Sequence, residues 1–208
     1  SKTFQSFYLL NDGEINFSDE WPNIKSMEGF VHTDDNNIDI EVRNGESLDL
    51  ELGAVLGEIR RNEADENWLS INGQAVGATA SGLGYLQQAP LGERLKNSFA
   101  NWQAQGDLAA DITVRVPFNI PSGGPEVRLN LAIADNDLVI PDYAIGVSQL
   151  TGPIIYDSLS GLESSTLSGQ LFGREVTLGL SSLSNNGEVE TIFVDAEGDA
   201  VRDDLIAW

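Results

Sequence analysis

The sequence predicts a mainly β fold, an antiparallel sheet with two or three short α-helices packed against it. Three observations predict it. Apolar and polar residues alternate with a period of two in one segment after another. Turn-forming residues separate those segments at short, regular spacings, as in a continuously growing meander. The alternation is interrupted by helical spacing at 81–102 and again at 199–208.

Taken in order, weak strand patterns cover 4–10, 13–18 and 25–33. Ile38, Ile40 and Val42 then alternate with Asp39, Glu41 and Arg43, and Leu48, Leu50 and Leu52 with Asp49 and Glu51. Asn44-Gly45 between the two sets is a hairpin signal, because both residues tolerate the left-handed backbone of a tight turn. A further strand over 68–77 carries Leu69 and Ile71. Ser81 is placed to cap a helix through Leu83 and Leu86. Pro90 suits a first helical position before Leu91, Leu95, Phe99 and Trp102, which share one helical face.

The strand at 104–118 is the longest, with Ile112, Val114 and Val116 on one side and Asp111, Thr113 and Arg115 on the other. After Pro121-Ser122-Gly123-Gly124-Pro125 come Val127, Leu129, Leu131 and Ile133. Patterns at 143–148 and 165–172 lead to a turn at Phe172-Gly173, then Val176, Leu178 and Leu180, and a last strand at 188–195. Asp199 opens a helical pattern through Val201, Leu205 and Trp208. The chain therefore reads as a single β-rich segment, 1–208: a first meander at about 4–77, a helical insert at about 81–102, a second meander at about 104–196 and the start of a truncated helix at 199–208. Ser1, with no initiator Met, reads as the start of an excised piece, and any targeting or anchoring segment is then expected outside it.

Alternation of this kind gathers the aliphatic side chains on one face of the sheet. That face has to be covered. A closed barrel, a sandwich, a helix laid across it or a trough filled by something apolar would each serve.

Composition narrows the function classes. The 208 residues hold 33 Asp+Glu against 11 Lys+Arg, a formal charge of −22, with 41% apolar residues. The apolar fraction supplies a core, and the charge repels phosphate backbones and anionic bilayers, which excludes nucleic acid and direct membrane docking by this segment. With no Cys there is no disulfide, thiolate nucleophile or thiolate metal site, and His32 is the only imidazole. No cofactor is expected. The three Lys against eight Arg, amid so many acids, fit a chain kept soluble in salt.

The remaining constellations read as structure. Asp195, Glu197 and Asp199 are spaced as oxygen ligands for Ca²⁺ but lack a twelve-residue loop and a distal bidentate Glu, so a solvated turn and cap is the simpler reading. Asp34-Asp35-Asn36-Asn37 and Asp135-Asn136-Asp137 read as hairpin tips. His32 reads as an exposed strand-end residue. Trp21, Trp68, Trp102 and Trp208 read as packing anchors rather than a sugar platform. Paired carboxylates at glycosidase spacing are available to any chain this acidic and carry no information. Asn16-Phe17-Ser18 matches a glycosylation sequon by chance.

A resemblance to a known family rests on the order of local motifs. Phe17 to Trp21-Pro22 and Ile24 to Gly29 open it. Trp68-Leu69-Ser70-Ile71-Asn72-Gly73-Gln74-Ala75-Val76-Gly77, the Leu83–Leu86 helix, Ala89-Pro90-Leu91 and Trp102-Gln103-Ala104-Gln105-Gly106 continue it into the strand ending at Val116-Pro117-Phe118. Leu138 to Pro141, Leu150-Thr151-Gly152, Leu162 to Leu171 and Phe172-Gly173-Arg174-Glu175-Val176 complete it. This order, over roughly 4–208, resembles the middle region of YhdP-like proteins of the AsmA-like group, which also includes TamB. The resemblance implies an extended, strongly bent, groove-like sheet in a periplasmic protein anchored in the inner membrane. It implies a non-enzymatic role in carrying phospholipid between the membranes and maintaining the outer membrane. Its partners would be acyl chains and neighbouring segments of the same full-length chain, with membrane contact only through parts outside this one. On that reading Ile38, Ile40, Val42, Leu48, Leu50, Leu52, Leu69, Ile71, Ile112, Val114, Val116, Leu129, Leu131, Ile133, Val176, Leu178 and Leu180 are the groove candidates, and ordinary core packing is the alternative for each. A β-sandwich module binding a glycan or partner protein is the rival function, and a hydrolase built on paired carboxylates the third.

Overall fold

A computed structural model describes residues 4–16, 21–35, 37–61, 66–88, 97, 99–118, 125–163, 165–185, 188–199 and 201–202. They form one 13-stranded antiparallel sheet with path β1-β2-β3-β4-β6-β7-β8-β9-β11-β12-β13, in which β5 bridges β3 and β6 and β10 pairs with β9. The strands are β1 (Gln5–Ile15), β2 (Ile24–Asp34), β3 (Asn37–Ser47), β4 (Leu50–Leu52), β5 (Val55–Arg61), β6 (Asn67–Ala78), β7 (Gln103–Phe118), β8 (Glu126–Ile140), β9 (Ile145–Asp157), β10 (Gly161–Leu162), β11 (Ser165–Leu171), β12 (Arg174–Asn185) and β13 (Glu188–Gly198). Neighbours in sequence are neighbours in space nearly throughout, so the meander expectation holds.

Among the described residues there is one α-helix, α1 (Thr79–Gln88), where the sequence predicts two or three. Of the predicted helices at 90–102 and 199–208, residues 90–96, 98, 200 and 203–208 lie outside the described residues. A short 3₁₀ turn (Pro141–Tyr143) joins β8 to β9. No helix among the described residues is long and apolar enough to cross a membrane.

Several local expectations are corrected. Asn44 and Gly45 lie inside β3 rather than in a turn. Gly45 lies close to the neighbouring β2, where a Cβ would sit 3.3 Å from Met27 Cγ and 3.4 Å from the Lys25 carbonyl oxygen. The hairpin turns instead at Leu48-Asp49, whose φ values of 48° and 62° put both residues in the left-handed region. Asp135-Asn136-Asp137 is no hairpin tip but a bulge inside β8, which runs on to Ile140. The segment 55–61, unassigned from sequence, is β5.

Bulges bend the strands. Non-glycine φ values near 50° occur at Asp12, Ser26, Asp135 and Gln149, with Gly106 at 107°, and the register shifts beside each. A bulge adds a residue to one strand only, so that strand curves and twists more strongly. These bends fall towards the end of the sheet where β6 passes into α1.

Register then lines the inner face in transverse rows. Ile38, Ile59, Leu69 and Val116 oppose one another in succession, as do Ile40, Gly57, Ile71, Val114 and Val127. Leu52, Ala75, Ala110, Leu131 and Ile154 form a deeper row, and Gly77, Leu108 and Ile133 the deepest. The outer face is mixed, with Leu56 and Val76 exposed among its charged residues. There Arg115 pairs with Glu126 at 3.2 Å and lies 4.9 Å from the Trp68 ring centroid, and Arg128 reaches Glu163 at 2.9 Å and Asp157 at 3.4 Å.

Candidate functional site: an apolar cavity on the inner face

The connection from β6 to β7 folds back across the inner face instead of turning tightly. Its first part is α1, which packs on β7 and β6. Gly82 permits the contact, because a Cβ there would overlap Leu108 Cδ2. Tyr85 reaches Trp21, with ring centroids 6.4 Å apart, and burial pushes its phenol pKa up while a hydrogen bond with Ser47 opposes the shift. Gln87 Nε2 donates to the Phe99 carbonyl at 3.4 Å, tying α1 to the returning chain. Phe99 and Trp102 meet edge to face at 4.6 Å. They pack with Tyr156, Leu162, Leu180 and Val189 in a second apolar cluster, where burial likewise raises the Tyr156 phenol pKa.

Between this roof and the sheet lies a cavity of about 250 Å³. Its floor is aliphatic. Of the groove candidates, Leu50, Leu52, Leu69, Ile71, Ile112, Val114, Val116, Leu129, Leu131, Ile133 and Leu180 line it. Ile38 and Ile40 continue the same rows towards β2 without lining it, and Val42 is buried opposite Val55. Val176 and Leu178 are packed into the main core with Val147, Leu150 and Leu167. Leu48 sits in the β3–β4 turn.

Sequence reasoning missed Val55 on β5, the small residues Ala75 and Ala110, and Ile154, Tyr156 and Leu162 beyond them. The alternation Val55-Gly57-Ile59 was a legible signal for the first. Nothing in a lone sequence marks alanines as a cavity floor.

Burial changes along the trough. Ala75, Leu108, Ala110 and Ile133, at the end where the roof is rooted, are at most 8% exposed. Leu69, Ile71, Val114 and Val116, towards the other end, are half-buried, while Val127, opposite Val114, is 4% exposed. The rooted end carries most of the polar atoms. Asn136, 2% exposed, donates from Nδ2 to Thr79 Oγ1 at 2.6 Å at the first residue of α1, and its Oδ1 has no hydrogen-bond partner among the described residues. Asp137 is the one carboxylate among the described lining residues.

The other candidates do not assemble. Asp195 and Glu197 oppose Gly179 and Thr177 along an edge strand, and no group of three potential metal ligands forms among the described residues. Rather than an exposed strand end, His32 is stacked on Phe7 at 4.3 Å, with Nδ1 3.5 Å from Asp39 Oδ2. Of the tryptophans, Trp21 and Trp102 line the cavity, Trp68 lies on the outer face and Trp208 is outside the described residues.

A family model described as YhdP protein matches residues 1–208. No curated protein and no solved structure matches the chain.

Proposed function

The chain belongs to the YhdP family, and on that premise we propose that the cavity receives phospholipid acyl chains. The chain would be a non-enzymatic segment of a periplasmic lipid-transfer protein, anchored in the inner membrane and supporting the outer membrane. The observation that carries this is the inner face itself, whose aliphatic rows cross many strands, line one cavity and stay half-buried at Leu69, Ile71, Val114 and Val116. Each methylene removed from water contributes about 0.8 kcal/mol, so one chain seated on these rows gains on the order of 10 kcal/mol. Head groups stay in water, since burying them against apolar walls without partners costs several kcal/mol. Such a role needs no shifted pKa and no cofactor, in keeping with a lining that holds a single carboxylate. A glycan module would call for polar groups converging with aromatic ones on a pocket; Trp21, Tyr85, Phe99, Trp102 and Tyr156 line this cavity, but over an aliphatic floor with one carboxylate among the described lining residues.

The test is native mass spectrometry, with lipid extraction, of the chain purified from a bacterial periplasm, alongside Val114→Glu and Leu131→Glu. Co-purified phospholipid in the wild type, lost in both variants while circular dichroism is unchanged, is the expected result. A lipid-free wild type with variants that simply unfold would identify these residues as core and remove the basis of the reading.

A further inference from the structure

We propose that β1 is an interface strand: a second copy of this chain adds to it, antiparallel and about a two-fold axis at Tyr8, so that the sheets of the two copies become one. The proposal is independent of what the cavity holds. Among the described residues β1 forms one edge of the sheet and pairs with β2 alone. Its sequence is not that of a free edge. Phe7-Tyr8-Leu9-Leu10 is apolar at successive positions, so it presents apolar side chains to both faces, as strands covered on both sides do. Phe7 is 70%, Tyr8 57% and Leu9 89% exposed.

Edge strands are ordinarily guarded by charge, and the two edges of this sheet differ in that respect. β13 carries Asp195 and Glu197, both exposed. Residues 4–11 hold no charged side chain. In a chain of formal charge −22, this is an edge at which a second copy can pair without setting carboxylate opposite carboxylate.

Register supports the same partner. The Phe4 carbonyl accepts from the Asp35 N–H at 3.0 Å, so Phe4, Ser6, Tyr8 and Leu10 turn their backbone groups to β2, and Gln5, Phe7 and Leu9 turn theirs to the open edge. A dyad at Tyr8 sets Phe7 opposite Leu9 of the second copy, and Leu9 opposite its Phe7, as hydrogen-bonded pairs. Those side chains cover one another on the outer face. On the inner face Tyr8 meets its own counterpart and Leu10 meets Ser6. Phe7 is already fixed for this contact by stacking on His32 at 4.3 Å. Pairing ends where β1 bulges at Asp12. Tyr8 heads an inner row with Val31, Ile40, Gly57 and Ile71, so the apolar face of one copy runs on into that of the other. The exposed apolar side chains bury at most on the order of 1,000 Å² in total, the small end of specific interfaces, which fits a dissociation constant on the order of 10 μM.

The experiment is analytical ultracentrifugation of the chain from about 1 μM to about 300 μM, at about 50 mM and about 500 mM salt, together with amide exchange. A reversible dimer is expected. It should tighten as salt rises, because screening weakens the repulsion between two acidic copies. The Phe7 and Leu9 amides should exchange more slowly as concentration rises. Leu9→Lys, at an exposed position, should weaken the dimer at least about ten-fold with an unchanged circular dichroism spectrum, and Val194→Lys, on the opposite edge, should leave it as it is. A monomer throughout the range, assemblies that grow beyond the dimer, or a dimer broken by Val194→Lys and not by Leu9→Lys would overturn the proposal. So would Phe7 and Leu9 amides already protected in a monomer, which would show that this edge is covered within one chain.

Discussion

The two ends of the trough share one sequence pattern and differ in burial. At the rooted end Leu108 and Ile133 face the insert and are buried; at the other end Leu69 and Val116 occupy equivalent alternating positions on β6 and β7 and are half-buried. Strand alternation thus decides which face is apolar. At the buried end the cover is α1, in the connection between β6 and β7. The difference separates core from candidate binding surface within a single row of strands.

The sharpest way to break the comparison is to truncate one residue at each end. Leu108→Ala leaves a hole between α1 and β7 and is expected to cost about 3 kcal/mol in urea unfolding. Leu69→Ala removes contacts already shared with solvent and should cost about 1 kcal/mol. Equal losses would mean that the half-buried end is as well packed as the rooted end.

Next in size is the staple that roots the roof. Thr79→Val removes the acceptor of the Asn136 amide and leaves a second polar atom of a buried side chain without a partner. The expected loss is about 1–3 kcal/mol, accompanied by faster amide exchange across α1. Unchanged exchange in α1 would show that the roof is held by its apolar contacts alone.

A pair of glycines sharpens the point within α1 itself. A Cβ at Gly84 meets nothing within 4 Å, so Gly84→Ala should stabilise by about 1 kcal/mol through helix propensity. The same change at Gly82 drives the Cβ into Leu108, and overpacking of about 1–3 kcal/mol cancels or reverses the gain. Equal stabilisation in thermal melts would mean that the roof does not press on the floor there.

Much of the sheet was legible because a period of two is a local signal. Ile112, Val114 and Val116 could be assigned to one face, and β7 delimited almost to the residue, from sequence alone. The turns were less legible. Asn44-Gly45 carries the preferred hairpin residues, yet the chain sets Gly45 close to the neighbouring β2 and forces Leu48 and Asp49 into the left-handed region instead. The bulge at Asp135–Asn136 was hidden for a similar reason, since a polar triplet inside a strand looks like a loop until a buried amide is needed to hold α1. Which aliphatic rows would be roofed was not legible, because it depends on how 79–102 folds back and not on the rows themselves.

The smallest expected effect lies on the outer face near the half-buried end and tests whether that end carries any stability of its own. The Arg60 hydrogen bond, opposed by desolvation and helped by His32, holds the Asp39 carboxyl below its ordinary value of 3.8. A carboxyl lowered on folding stabilises above its unfolded pKa and loses that contribution as pH falls through the folded one. The loss therefore begins near pH 4 and grows below it. With Asp39 40% exposed the pair is screened, so about 0.5 kcal/mol is the expected scale. Asp39→Asn should reduce the acid-induced loss of unfolding free energy, read from urea titrations, by that amount between about pH 5 and about pH 3 while leaving amide exchange at Leu108 untouched. An acid slope unaltered by the substitution would place the pH sensitivity of the fold among its other carboxylates and leave the half-buried end held by β-ladder hydrogen bonds and its aliphatic rows alone.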